Sequence, residues 1–125
     1  HWHRYYRKFS ISTESKIRTE VHLSQRILLS KFDLETARKF YTVEDEEVLG
    51  SQVSSQKLLS LPAILWTACF DQTTQSSEAA RQILNYLYST PEEKLDFLIT
   101  NYIPILNYCV YALFRKIPVD FFSTP

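Results

Sequence analysis

Three groups of side chains in this sequence have the types and spacing to do chemistry: a basic-aromatic run at the start, an acidic run near the middle, and three tyrosines near the end. The first run reads His1-Trp2-His3-Arg4-Tyr5-Tyr6-Arg7-Lys8-Phe9. Arg4, Arg7 and Lys8 suit phosphate contacts, while Trp2, Tyr5 and Tyr6 suit stacking on bases or seating at a lipid surface. The competing reading makes this run a first helix, with its rings turned inward and its cations solvated or paired with the acids of the same chain. We favour that reading. His1-x-His3 would bind a metal only at a genuine free amino terminus, and a loosely ordered end is the ordinary explanation.

The acidic run is Glu44-Asp45-Glu46-Glu47. Four consecutive acids on a helix cannot converge on one point, and the Asp/Asn-Gly spacing of a calcium loop is missing. A solvated face is expected. The third group, Tyr102, Tyr108 and Tyr111, lies within residues 97–114, a stretch without a charged side chain. Thr100, Asn101, Pro104 and Asn107 interrupt it, so a buried helix–kink–helix is expected rather than a membrane span. Should the tyrosine tips face outward, they would form an amphipathic aromatic surface of the kind that binds proteins.

Other chemistries are excluded by composition. The 125 residues include one glycine, Gly50, so no glycine-rich phosphate loop can form. There is no G-x-S-x-G elbow and no H-E-x-x-H helix. Cys69 and Cys109 stand far apart in apolar surroundings and read as buried thiols, not as metal ligands or a disulfide. The acid pairs Asp33/Glu35 and Glu92/Glu93 fall at helix starts, where capping and the helix dipole account for them. Catalytic residues, metals and cofactors are therefore not expected. Net charge is zero, with +5 over residues 1–40 and −5 over residues 41–80. That balance argues against a dedicated polyanion binder.

These groups need elements to position them. One glycine is too few for the hairpins of a β-sandwich, whereas Ser, Thr, Asp and Pro supply helix starts. Ser60-Leu61-Pro62 opens an apolar helix over residues 62–70, expected at the centre of the core. Ser76 is expected to cap the next helix. Thr90-Pro91-Glu92-Glu93 forms a capping box, and Leu95, Leu98, Ile99 and Tyr102 give its helix an apolar face. Pro104 should end or kink that helix at Ile103, before a last helix over residues 105–114 carrying Leu106, Cys109, Val110 and Leu113. Residues 10–32 fit both a helix and a strand pattern. Helix is preferred, with a β-hairpin over residues 9–23 as the alternative.

The expectation is an all-α chain: one helical domain of five to seven short helices in antiparallel pairs, bundle-like or stacked as in helical repeats. The unterminated ends suggest a fragment of a longer, intracellular protein. The function expected first is non-enzymatic: a protein–protein interaction module of a scaffold or adaptor, with Tyr102, Tyr108 and Tyr111 at its binding surface and another protein as partner. The second is binding of nucleic acid or an anionic surface through Trp2, Arg4, Tyr5, Tyr6, Arg7 and Lys8.

Overall fold

The computed structural model describes residues 2–42 and 59–119, and helix-start signals divide these described residues into six helices. They are α1 (Trp2–Ser10), α2 (Ser15–Leu29), α3 (Leu34–Lys39), α4 (Leu61–Ala68), α5 (Thr74–Leu87) and α6 (Pro91–Phe114). Asp33 caps α3 by accepting from the Thr36 amide, and Ser60 caps α4 by accepting from the Ala63 amide. At α6 the capping box closes in both directions: Thr90 Oγ1 accepts from the Glu93 amide, and Glu93 Oε1 accepts from the Thr90 amide. The acidic run Glu44–Glu47 lies outside the described residues.

The helices pack in pairs. α2 lies most extensively against α5, and α4 against α6, while α1 closes onto α2 and α4 also meets α5. α4 is central, as its all-round apolarity requires: Leu61, Pro62, Ala63, Ile64, Leu65 and Thr67 are all buried. Around it gather Tyr6, Val21, Leu29, Tyr41, Ile83, Leu87, Phe97 and Ile105. The domain is all-α, and the described residues contain a single isolated β-bridge, between Asp71 and Val119.

Four local expectations are corrected. The β-hairpin over residues 9–23 does not form, and α1 and α2 occupy that stretch. Ser76 is not a cap. α5 starts at Thr74 after Thr73, and Ser76 is buried inside it with no hydrogen-bond partner for its hydroxyl. The helix over residues 105–114 is not separate: it continues α6, which is kinked rather than ended. The kink falls at Asn101, not Ile103, with φ −115° and ψ 15°. A proline ring collides with the carbonyl four residues earlier and leaves it without a donor, so the distortion appears upstream. The Asn101 side chain relieves part of it by donating to the Phe97 carbonyl at 2.9 Å.

Two buried polar groups tie the pairs together. Arg18 on α2 and Asp71 before α5 form a two-pronged ion pair at 2.7 and 3.1 Å, with almost no solvent access. A second group runs through the core from α1 to α3. Trp2 donates to Gln25 (2.6 Å), Gln25 to Tyr41 (3.0 Å) and Tyr41 to Tyr6 (3.1 Å). The Tyr6 hydroxyl lies 3.3 Å from His22 Nδ1, the direction of that bond being set by the His22 tautomer.

His22 is neutral in this buried network. Burial pushes the His22 pKa down to about 4, helped by Arg18 and opposed by Asp71. The unfolded chain binds the proton near pH 6.5, so it carries more protons than the folded state between about pH 6.5 and 4. Stability is therefore full above pH 6.5 and falls by about 3 kcal/mol as pH drops to 4. Urea unfolding of wild type against His22→Gln should show a slope over this window that the variant lacks. Equal slopes would contradict a buried neutral His22.

Candidate interaction surface

The basic-aromatic run forms α1, which turns Tyr6 into the core and leaves Arg4, Tyr5 and Lys8 exposed. Tyr6 is fully buried, edge-on to His22, Phe40 and Tyr41. Trp2 is half-buried, with its indole N–H committed to Gln25. Of the three rings, Tyr5 is exposed, and it lies stacked on Trp2 at 5.1 Å. Arg7 donates to the Leu59 carbonyl at 3.1 Å, and Lys8 lies over the Phe9 ring at 5.3 Å. Arg4 is exposed. The six residues thus do not share one open face.

The tyrosines of α6 separate in the same way. Tyr108 is buried, which raises the pKa of its hydroxyl, and it stacks on the half-buried Tyr111 at 5.9 Å. Tyr102 is 53 % exposed. Tyr108 therefore belongs to the core, and the expected three-tyrosine surface reduces to Tyr102 with part of Tyr111.

What surrounds Tyr102 is more informative. The inner face of α6 is Phe97, Ile105, Tyr108 and Ala112, at spacings of three, four and eight residues. Of the stripe expected to face the core, Leu98 and Cys109 pack against it, while most of the rest points outward. Leu95, Ile99, Ile103, Leu106 and Val110 are each between 54 % and 61 % exposed, Leu113 is 77 % and Phe114 83 %. They recur at intervals of three and four residues, the period that aligns side chains along one side of a helix. Together with Tyr102 they expose on the order of 1,000 Å², more than the few hundred Å² typical of a monomer's largest apolar patch.

Thus α6 is apolar on two opposite sides, and one side is uncovered among the described residues. The sequence placed Leu106, Val110 and Leu113 on the buried stripe because periodicity reveals a face but not its direction. The signal that could have shown it was the duplication itself: a 24-residue helix with two apolar stripes has two surfaces to cover.

The concave sites are less suggestive. One cleft of about 480 Å³ lies between α3 and the first half of α6, lined by Arg38, Tyr41, Tyr88, Glu93, Asp96 and Asn101 among others. Its one cation is already engaged. Arg38 donates to the Leu87 carbonyl (2.8 Å) and to Glu93 (2.7 Å), and it lies 5.0 Å from the Tyr88 ring centre. No group of three or more His, Cys, Asp or Glu side chains converges among the described residues. Cys69 is a free, buried thiol whose pKa burial pushes up to about 12, so it has no nucleophilic character at neutral pH. Cys109 is also free and half-buried, and its thiol is likewise raised by burial.

Comparison with protein-family models, with curated proteins and with solved structures finds no match for this chain. The functional reading therefore rests on the residues themselves.

Proposed function

We propose that this chain is a non-enzymatic helical module that binds a protein partner through the outward face of α6. One observation carries the reading: the continuous apolar stripe from Leu95 to Phe114, laid on a helix that the core already holds from behind. Its size is comparable to the roughly 800 Å² that each partner contributes to a standard interface. The large aliphatic and aromatic side chains, with Tyr102 among them, are of the kind that form interface cores. The absence of a charged side chain from residue 97 to residue 114 spares a partner the cost of burying one.

By length and composition alone, α6 could also cross a membrane. The rest of the fold favours a protein partner. α6 reaches its neighbours through α4, and the next helix out, α5, exposes Glu78 and Arg81. Drawing this bundle into hydrocarbon would put those charges there, at several kcal/mol each.

The test is site-specific photocrosslinking of the protein in its native cells. A photoreactive side chain at position 106 should give a discrete protein adduct, and one at Glu20, on the exposed side of α2, should not. Lipid adducts at position 106, or no adduct, would overturn the reading.

A further inference from the structure

The α6 stripe has a chemistry that selects its occupant. Leu95, Ile99, Tyr102, Leu106 and Leu113 are exposed, and with Cys109, half-buried at the edge of the stripe, they alternate four and three residues apart, the spacing of a two-helix seam. The stripe is also polar in the electrical sense. It starts at two exposed acids, Glu92 and Asp96, and the helix ends at two exposed bases, Arg115 and Lys116. The surface is thus complementary to itself once reversed.

Resting on the interaction reading above, we propose that the partner is a second copy of this chain, with the two α6 helices packed antiparallel about a two-fold axis near Pro104. Leu95 of one copy then lies opposite Leu113 of the other, Tyr102 opposite Leu106, and Glu92 opposite Lys116. A two-fold axis makes every such contact twice, as a closed dimer requires. A parallel pair would set acids against acids and bases against bases, which is destabilising in a seam. Antiparallel packing also opposes the two helix dipoles, placing each acidic start beside a basic end. The area argues the same way: on the order of 1,000 Å² from each copy matches a standard interface of about 1,600 Å² in total once the edges stay wet.

Sedimentation equilibrium of the purified chain, with charge-swapped variants, tests this. Wild type should sediment as a dimer. Glu92→Lys with Asp96→Lys makes both ends of α6 basic, and Arg115→Glu with Lys116→Glu makes both ends acidic. Each doubly substituted chain should dimerise at least tenfold more weakly than wild type, and an equimolar mixture of the two should recover the wild-type dimer. Thermal melts confirm that each variant is folded, and recovery on mixing reads out charge pairing even if one variant is less stable. Wild type that stays monomeric at about 100 µM, well above the micromolar range of weak specific complexes, overturns the dimer. If the position 106 crosslink nevertheless captures a different protein, the interaction reading stands without it. A dimer that ignores the charge swaps overturns the antiparallel arrangement.

Discussion

Arg18→Met is expected to cost about 3–5 kcal/mol of folding stability, because it leaves the Asp71 carboxylate buried without its counter-charge. Both members of the pair are enclosed: Arg18 is 1 % exposed and Asp71 7 %. Besides the two-pronged contact with Asp71, Arg18 donates to the Ser12 carbonyl at 2.9 Å. Asp71 also accepts from the Thr73 amide at 2.8 Å, shaping the turn into α5. The pair therefore joins the α1–α2 turn to the α4–α5 turn. The next residue, Gln72, donates to the Pro118 carbonyl at 2.9 Å, so the segment after α6 returns to the same place. Urea unfolding measures the cost. Arg18→Met combined with Asp71→Leu should lose less than the two single changes added together, since neither charge is then stranded. A single variant that loses less than about 1 kcal/mol would show that water reaches the pair.

Leu106→Glu with Leu113→Glu should have the opposite profile, leaving the fold intact and abolishing association. Both side chains are mostly solvated in the free chain, so unfolding free energy should change by less than about 0.5 kcal/mol per site. In a bound interface each would bury a charge at the centre of an apolar seam. Removing a central anchor costs 2 kcal/mol or more, about 30-fold in affinity per residue, so the pair should weaken binding by about 1,000-fold. Ile105→Glu, one position away on the inner face, should unfold the domain instead, because Ile105 is 5 % exposed. Loss of stability in the Leu106/Leu113 variant would mean that the stripe is covered by its own chain.

Much of the architecture follows from local chemistry that a sequence displays openly. Asp33, Ser60 and Thr90 cap helices where their side chains and spacing indicate, and the apolarity of residues 61–68 places α4 at the centre. What could not be read depends on contacts between distant segments. Arg18 and His22 alternate with Ile17, Val21 and Leu23 and so resemble a solvated face, yet both are buried, each with partners on other elements. Tyr6 looked available for stacking, and the Tyr41 hydroxyl and the rings of His22 and Phe40 claim it. The expected tyrosine surface and the exposed stripe share one segment: Tyr102 is exposed, Tyr108 is buried, and Leu95, Ile99, Leu106, Val110 and Leu113, expected in the core, are exposed. A helix with two apolar faces gives no local sign of which one its own chain will cover.

Hydroxyl-radical labelling of α6, compared between the diluted free chain and the protein in its native assembly, tests the central claim most directly. Leu106, Leu113 and Phe114 should react strongly in the free chain and become protected in the assembly, while Tyr108 stays protected in both. Equal reactivity of Leu106 and Phe114 in the two states would contradict the outward face of α6 as a binding surface.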